Sequence, residues 1–301
     1  MKSGIIAVHK PEGISSAAVV SRIKRLLKAK KAGHTGTLDP FATGLLLCAV
    51  NQATRISGYF LGGHKRYTAQ LRLGIETDTH DLTGKIEYQA ADDVMASLTK
   101  TAIKQAIVSF GGIQEQLAPS FSALKHNGQP LYKLARQGIK IQKPPRTIEI
   151  FSIDILSIEL PHVNIEVYCS AGTYIRSLAF DIGKKLGCGA HLSKLCRTGS
   201  SQFDLDHAVG LEKIEAEGRD AAEELMIPLS ECLPFLPAII VDDTVMQKIK
   251  YGQRVSEKDL HGKIPEPGQP LKLLDMDNAL VAIVELDNDQ HRINYSCVFA
   301  V

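Results

Sequence analysis

The sequence predicts an α+β protein with a large domain at residues 1–233 and a small β-rich domain at residues 234–301. Helical and strand-like hydrophobic patterns alternate irregularly along the first region. Prolines at positions 234 and 237 interrupt the pattern, and only short apolar stretches follow them. With 44% hydrophobic and 23% charged residues, the 301-residue chain has the composition of a globular protein, so disordered, collagen-like and coiled-coil classes are excluded.

The N-terminal half begins with a predicted helix at residues 16–31. Ser15 or Ser16 can cap its first turn, and Gly33 is placed to end it. Apolar residues alternate with polar ones from Tyr67 to Leu73, which predicts a half-buried strand. A helix is expected at residues 92–110, and residues 114–147 are expected to leave the core, with one short helix at residues 131–137.

The second half is predicted to continue the same mixture. Two strands are expected at residues 148–158 and 163–169, a helix from Gly172-Thr173 to about Leu186, and an acidic surface helix at residues 212–224. After the prolines we expect a helix near residues 243–251 and short strands in residues 271–274, 280–285 and 293–301. Removal of residues 238–301 is therefore expected to leave a soluble, folded core.

The net charge of +2 conceals strongly unequal segments. Residues 1–75 carry a net charge of +10 and residues 121–200 carry +6, whereas residues 201–301 carry −10. Two basic segments of this size suggest a polyanion partner whose phosphates supply much of the affinity. A well-solvated surface explains the charges equally well when they are considered alone.

Several classes of protein are disfavoured by what the sequence contains. No run approaches 18 apolar residues and no signal peptide is apparent, so we expect a soluble cytoplasmic protein. Six cysteines without a CxxC pair favour reduced, buried thiols; Cys188, His191 and Cys196 lie close in sequence but lack the second paired cluster of a zinc site. Phosphate-loop and dinucleotide fingerprints are also missing, so neither a metal nor a nucleotide cofactor is predicted.

The densest motif is GHTGTLDPFATG at residues 33–44. Its three glycines permit close backbone approach to a ligand, and Pro40 biases Asp39 away from helical geometry, so Asp39 is expected in a loop. In a basic segment, positive neighbours favour the ionised carboxylate, which suits a nucleophile or a base. No second carboxylate for glycosidase-like acid catalysis is evident nearby. Alternatively, Asp39 closes an Asx turn and has no catalytic role.

Further motifs follow in a defined order. Together with residues 33–46 they resemble the bacterial tRNA pseudouridine synthase B family over residues 5–205. The matching stretches are HKPEGISS (9–16), KRYTAQLRLGIETDTHDLTG (65–84), PSFSALKHNGQPLYKLARQG (119–138), CSAGTYIRSLAFDIG (169–183) and AHLSKLCRTG (190–199).

The resemblance implies a fold and an activity. The fold is the pseudouridine synthase catalytic fold, a mixed, largely antiparallel sheet with flanking helices, followed by a small PUA-like RNA-binding β-barrel at residues 234–301. The activity is isomerisation of uridine to pseudouridine at position 55 in the TΨC loop of tRNA, with the base flipped out of its stack. The glycosidic link from C1′ to N1 breaks and C1′ rejoins at C5, a reaction that needs no cofactor. The partner is tRNA, and a monomer without membrane contact is expected.

The resemblance also implies the roles of individual residues. Asp39 would attack or deprotonate the sugar of the target uridine. Arg176 would pair with Asp39 through its planar guanidinium, and Tyr67 would stack on the flipped uracil near C5. Tyr174 and Leu195 would line the base pocket.

Other residues receive less specific roles from the resemblance. His34 would enter the space that the extruded base vacates. Lys10 and the basic helix face at residues 22–31 would either contact phosphate or support the fold. The chain departs from the family pattern at Ala118, where a second proline is common, and at Cys196-Arg197, where two basic residues are usual, so one possible phosphate contact is lost.

Two other functions fit part of the pattern. A tRNA-binding or folding factor could use the same cleft without catalysis. A uracil glycosylase or nucleoside hydrolase could also use a carboxylate, but the single carboxylate and the large basic area disfavour it.

Overall fold

The structure is a computed structural model that describes residues 2–139, 141–260, 266, 268–287 and 292–299. Its helices are short, and none in the described part of the chain combines the length and apolarity needed to cross a membrane.

Strands form most of the regular structure. In chain order they are β1 Gly4–Lys10, β2 Ala32–His34, β3 Thr43–Val50, β4 Lys65–Leu73, β5 Ile75–Thr77, β6 Ile86–Gln89, β7 Gly112–Gln116, β8 Lys125–His126, β9 Gln129–Pro130, β10 Arg146–Glu159, β11 His162–Cys169, β12 Ala190–Ser200, β13 Phe203–Asp204, β14 Val209–Gly210, β15 Ile227–Pro228, β16 Ala238–Ile240, β17 Leu271–Leu274, β18 Leu280–Asp287 and β19 Arg292–Val298.

The α-helices flank these strands. They are α1 Ser16–Leu26, α2 Ser57–Leu61, α3 Asp92–Ser97, α4 Lys100–Val108, α5 Leu131–Arg136, α6 Ile175–Leu186, α7 Leu211–Glu224 and α8 Asp243–Lys250.

Helix ends follow local side-chain chemistry. The hydroxyl of Ser15 accepts a hydrogen bond from the amide of Ala18, which confirms the predicted start of α1. The helix ends before residue 31 because Lys28 adopts a left-handed conformation with φ 49°. The single helix expected at residues 92–110 is wrong: Thr99 caps a new helix, so the segment divides into α3 and α4.

One large sheet organises the first region. Its strand order is β14-β1-β3-β12-β4-β11-β10-β7, with β2, β13 and β15 attached at its sides. Only the β1–β14 and β3–β12 pairs in this sheet are parallel. The described residues therefore confirm the predicted α+β class and its mixed, largely antiparallel sheet.

Both faces of β1 and β3 are buried. Ile6 and Leu46 face the helices and share a cluster with Ile23 of α1, Leu178 of α6 and Ile214 of α7. Their chain neighbours point to the opposite face because strand side chains alternate. Helices α1, α6 and α7 thus lie on one face of the sheet, where they position the segments around Asp39.

The C-terminal region forms a four-stranded sheet in the order β16-β17-β18-β19, with α8 beside it. Within the described residues the two end strands do not pair with each other, so the closed barrel that the resemblance implies is not observed. The first two strands have only three and four residues, which leaves few backbone groups for closure.

The C-terminal sheet packs against the second face of β1 and β3. Ile5 and Leu47 from that face share one cluster with Leu280, Ile283 and Phe299. Between the two regions, the Arg55 guanidinium donates to the carbonyl of Val298, and Lys272 donates to the carbonyl of Ser230 at 2.8 Å. This common core disfavours independent folding after removal of residues 238–301; that expectation and the division at residue 233 both stay predictions.

The common core predicts one cooperative unfolding transition. Ile283→Ala removes a fully buried side chain and should lower the free energy of unfolding of the whole chain by about 2–5 kcal/mol. Urea unfolding followed by circular dichroism measures this change. Ile240→Ala, at a side chain that is 53% exposed in the same small sheet, is the matched control and should have little effect. Two separate transitions, with only one shifted by Ile283→Ala, would contradict the prediction.

Candidate active site

Asp39 lies in the loop between β2 and β3, and the N-terminal end of α1 fixes that loop. The hydroxyl of Ser16 accepts from the amide of Leu38 at 2.8 Å and donates to its carbonyl at 3.0 Å. On the other side of Asp39, the ammonium group of Lys10 donates to the carbonyl of Pro40 at 3.1 Å. Asp39 is therefore held between two tethered neighbours.

Lys10 is fully buried, and it also donates to the carbonyls of Pro11 and Ile14. Burial lowers its pKa to about 8, although Asp39 acts in the opposite direction. Of the two roles considered for Lys10, support of the fold is the one that this geometry favours.

Arg197 supports the first half of the same loop. Its side chain is buried, and it donates to the carbonyls of Gly36, Thr37 and Leu45 at 3.1, 3.4 and 2.8 Å. Strands β3 and β12 approach so closely here that a Cβ atom at Gly44 would lie 2.4 Å from the Arg197 carbonyl oxygen. The sequence marked Cys196-Arg197 only as a departure from the family pattern that loses one possible phosphate contact, and it did not predict that Arg197 organises the loop.

Arg176, in the first turn of α6, pairs with Asp39. Its Nε atom lies 2.8 Å from Oδ2 of Asp39, and its Nη2 atom donates to Oδ1 at 3.2 Å. The guanidinium also donates to the carbonyls of Thr79 and Phe121 at 3.0 and 2.8 Å. The two-oxygen contact with Asp39 is the geometry for which a planar guanidinium is suited.

A second carboxylate, Asp81, contacts the same arginine. Its Oδ2 atom lies 3.4 Å from Nη1 of Arg176. Asp81 is buried and accepts hydrogen bonds from Thr79 Oγ1 and from the amide and hydroxyl of Thr83. The prediction that no second carboxylate lies near Asp39 is wrong, because residues distant in sequence meet at Arg176. The sequence signals for Asp81 were its place in the motif at residues 65–84 and the threonines on both sides of it.

Burial sets the protonation balance of Asp39. It raises the pKa of this carboxyl above its usual value of 3.8, and Asp81 acts in the same direction, while Arg176 and Lys10 oppose both. The expectation that positive neighbours dominate is therefore wrong in sign. A carboxyl with a raised pKa is well suited to accept a proton near neutral pH.

A cavity of about 420 Å³ opens in front of Asp39 and Arg176. Tyr67 of β4, Tyr174 at the start of α6 and Leu195 of β12 line it, as the sequence predicts for a common pocket. Burial raises the pKa of the Tyr67 hydroxyl, so its neutral form is favoured beside the guanidinium of Arg197. Gln116 fixes Tyr174 by donating to its carbonyl at 3.0 Å and accepting from its amide at 2.8 Å. The cavity combines an ionisable oxygen with aromatic and aliphatic walls.

His34 is the one predicted site residue that does not line this cavity. It lies on β2, paired with Cys48 of β3, and its Nδ1 atom is buried without a hydrogen-bond partner in the described structure. Burial lowers its pKa, and Arg197 acts in the same direction. The neutral imidazole is therefore favoured at the edge of the loop.

The structure also places the basic face of α1 and His191, which the sequence raised as a phosphate contact and as part of a zinc site. On the basic face of α1, Arg22 pairs with Glu215 of α7, whereas Lys24, Arg25 and Lys28 are exposed. Nδ1 of His191 lies 2.9 Å from the carbonyl of Ile75, and no group of three or more possible metal ligands is found in the described ranges.

Two family models together match the residues that line the cavity. The model described as "TruB family pseudouridylate synthase (N terminal domain)" matches residues 24–175, and "tRNA pseudouridylate synthase B C-terminal domain" matches residues 176–234. Arg176 therefore falls at the start of the second matched region.

Curated relatives extend over most of the chain. A tRNA pseudouridine synthase B from Syntrophobacter fumaroxidans is 40% identical over 93% of this chain and 92% of its own. The Geobacter sulfurreducens protein of the same name is 43% identical over 94% of this chain and 93% of its own.

Solved structures share the fold. The structure titled "Crystal Structure of a Cbf5-Nop10-Gar1 Complex" contains a chain with a TM-score of 0.72 and 26% identity, covering 99% of this chain and 85% of that one. A chain in "Structure of H/ACA RNP bound to a substrate RNA containing 2'-deoxyuridine" has a TM-score of 0.72 and 25% identity, with the same coverage. Together with the matched motifs around Asp39 and Arg176, these similarities confirm the resemblance: the chain belongs to the TruB family of pseudouridylate synthases.

Proposed function

We propose that this protein isomerises uridine to pseudouridine in tRNA, at position 55 of the TΨC loop. The observation that carries the proposal is the Asp39 carboxylate, held at two oxygens by Arg176, at the wall of a cavity that Tyr67 and Tyr174 share. The names of the relatives support the same reaction class.

Asp39 acts on the ribose of the target uridine, either as a nucleophile or as a base. The C1′–N1 bond breaks, the uracil rotates, and a C1′–C5 bond forms. The proton lost from C5 is balanced by a proton gained at N1. Arg176 orients the carboxylate, Tyr67 and Tyr174 contact the base, and Leu195 completes the apolar wall. His34 occupies the space in the RNA from which the base has left.

The substrate is a folded RNA from which a base must be extracted. Base flipping costs unstacking energy, which contacts along the RNA offset. The net charge of +10 in residues 1–75 supports phosphate binding around the cavity. We assign a PUA-like RNA-binding role to residues 234–301; that role, a monomeric state and a cytoplasmic location are predictions.

The reaction is tested with an unmodified tRNA transcript that carries tritium at C5 of uracil. We expect tritium release without free uracil, because C5 loses its hydrogen while the base stays attached. Asp39→Asn should bind this tRNA normally and release no tritium, since the amide keeps the size of the carboxylate but not its charge. Free uracil would instead indicate a glycosylase, and binding without tritium release by the unchanged chain would indicate an RNA-binding factor.

Arg176→Lys separates charge from geometry. Lysine keeps the positive charge but cannot contact both carboxylate oxygens in a plane. We expect at least a tenfold loss of single-turnover rate at saturating enzyme, about 1.4 kcal/mol of barrier, with tRNA affinity retained.

Arg219→Lys on α7 is the matched control, because Arg219 forms an exposed ion pair with Glu223. An unchanged single-turnover rate for a folded Arg176→Lys protein would remove Arg176 from the proposed site.

The raised pKa of Asp39 predicts a pH dependence. Only the ionised carboxylate can act as a nucleophile or a base, so the rate should fall on acidification, at a pH above the ordinary value of 3.8 for aspartate. Single-turnover rates measured across pH give the inflection.

The raised pKa of Asp39 also makes stability depend on pH, in the opposite direction to the rate. Folding favours the protonated carboxyl, so its stabilising contribution is lost as pH rises through the folded-state pKa. Asp39→Asn cannot ionise, so the melting temperature of this variant relative to that of the unchanged protein should rise as pH increases through the folded-state pKa of Asp39. A difference in melting temperature that stays constant with pH would contradict this account of the carboxyl.

A further inference from the structure

Arg146 is the first residue of β10, and its side chain lines the cavity with Asp39. Arg146 pairs with Gln116 of β7, whose side chain fixes Tyr174. Arg146 has no role in the proposed chemistry.

Four cationic side chains line this cavity: Lys65, Arg146, Arg176 and Arg197. Lys65 donates to the carbonyls of Phe60 and Gly63, while Arg176 and Arg197 donate to the carboxylates and carbonyls described above. In the described part of the chain, Arg146 alone among the four has neither a side-chain hydrogen bond nor an ion pair, and its Nε atom is buried without a partner. A cationic donor group is therefore presented at the cavity without an acceptor.

The guanidinium of Arg146 lies over the ring of Tyr174 in a cation–π contact. Its Cζ atom lies 4.3 Å from the centroid of the Tyr174 ring. Gly172 permits this approach, because a Cβ atom there would lie 3.2 Å from Nη1 of Arg146. The guanidinium thus lies over one face of the ring, so a base can stack on Tyr174 only from the other face.

We propose that Arg146 binds a backbone phosphate next to the nucleotide whose base occupies the cavity. A guanidinium without a partner can bind an anion, and its planar set of donors matches two phosphate oxygens. Because the Tyr174 ring lies between Arg146 and a base on its free face, Arg146 meets the backbone and not the uracil. The inference rests on the proposed function, since it takes the bound molecule to be RNA.

The test pairs a protein change with an RNA change. The protein carries Asp39→Asn to prevent turnover, with Arg146 or with Arg146→Met, which keeps an unbranched side chain but removes the charge. The RNA is an unmodified T-arm stem-loop, used as such or with an uncharged methylphosphonate at the phosphate on the 5′ or the 3′ side of the target uridine. Equilibrium binding is measured for every combination over a range of salt concentrations.

We expect Arg146→Met to weaken binding of the unchanged RNA about tenfold and to reduce the slope of log K against log salt by about 0.7–0.9, the value for one phosphate. With the methylphosphonate at the contacted position, the same substitution should have almost no further effect, because the two changes remove one interaction. Arg146→Lys should retain most of the slope. Arg219→Met, on the exposed ion pair of α7, is the matched control and should leave binding unchanged.

Two results would overturn the inference. In one, the fold-losses of RNA affinity from Arg146→Met and from each methylphosphonate multiply, as expected for independent interactions. In the other, the salt slope stays unchanged while the single-turnover rate of Arg146→Met in the Asp39 protein falls, which would mean that Arg146 only supports Tyr174.

Failure of the proposed function is a different result. The protein with Asp39 and Arg146 intact would then form no pseudouridine in tRNA, whatever the binding cycle shows.

Discussion

The ion pair between Asp39 and Arg176 is the contact on which the arrangement of the site depends. The guanidinium side chain is only 4% exposed, and it joins the Asp39 loop, the turn at Thr79–Asp81, the segment at Phe121 and helix α6. A buried charge is costly unless its neighbours satisfy it. Arg176 is satisfied only when all four segments are in place, so the carboxylate is positioned by the completed fold.

Main-chain carbonyls around the cavity accept hydrogen bonds from other buried cations. Lys10, Lys65 and Arg197 are buried cations whose donors are directed at the carbonyls of nearby loops. Burial lowers the pKa of both lysines to about 8. These loops are thereby fastened without regular secondary structure, and positive charge is kept close to the place where a polyanion would enter.

Much of this arrangement was predictable from residues close in sequence. The cap at Ser15, the alternation in β4 and the motif around Asp39 are local signals, and they located these elements correctly. The pairing of Asp39 with Arg176 was available only through the family resemblance. Asp81 and Arg197 were not recognised because their roles arise where distant segments meet. The sign of the pKa shift at Asp39 was mistaken because charge can be counted along a sequence, whereas burial cannot.

The apolar cluster beneath β1 and β3 has a consequence for how this chain can change over generations. Ile5 and Leu47 belong to strands that lead to the Asp39 loop, and they pack in the same cluster as Ile283 and Phe299 near the other end of the chain. Interiors are packed densely, so a change of volume on one side of such a contact favours a compensating change on the other. Exchange of the C-terminal sheet by recombination would therefore disturb the packing beneath β1 and β3. The sheet is inherited with the strands that it supports, and substitutions on the two sides of the cluster are expected to accumulate in pairs.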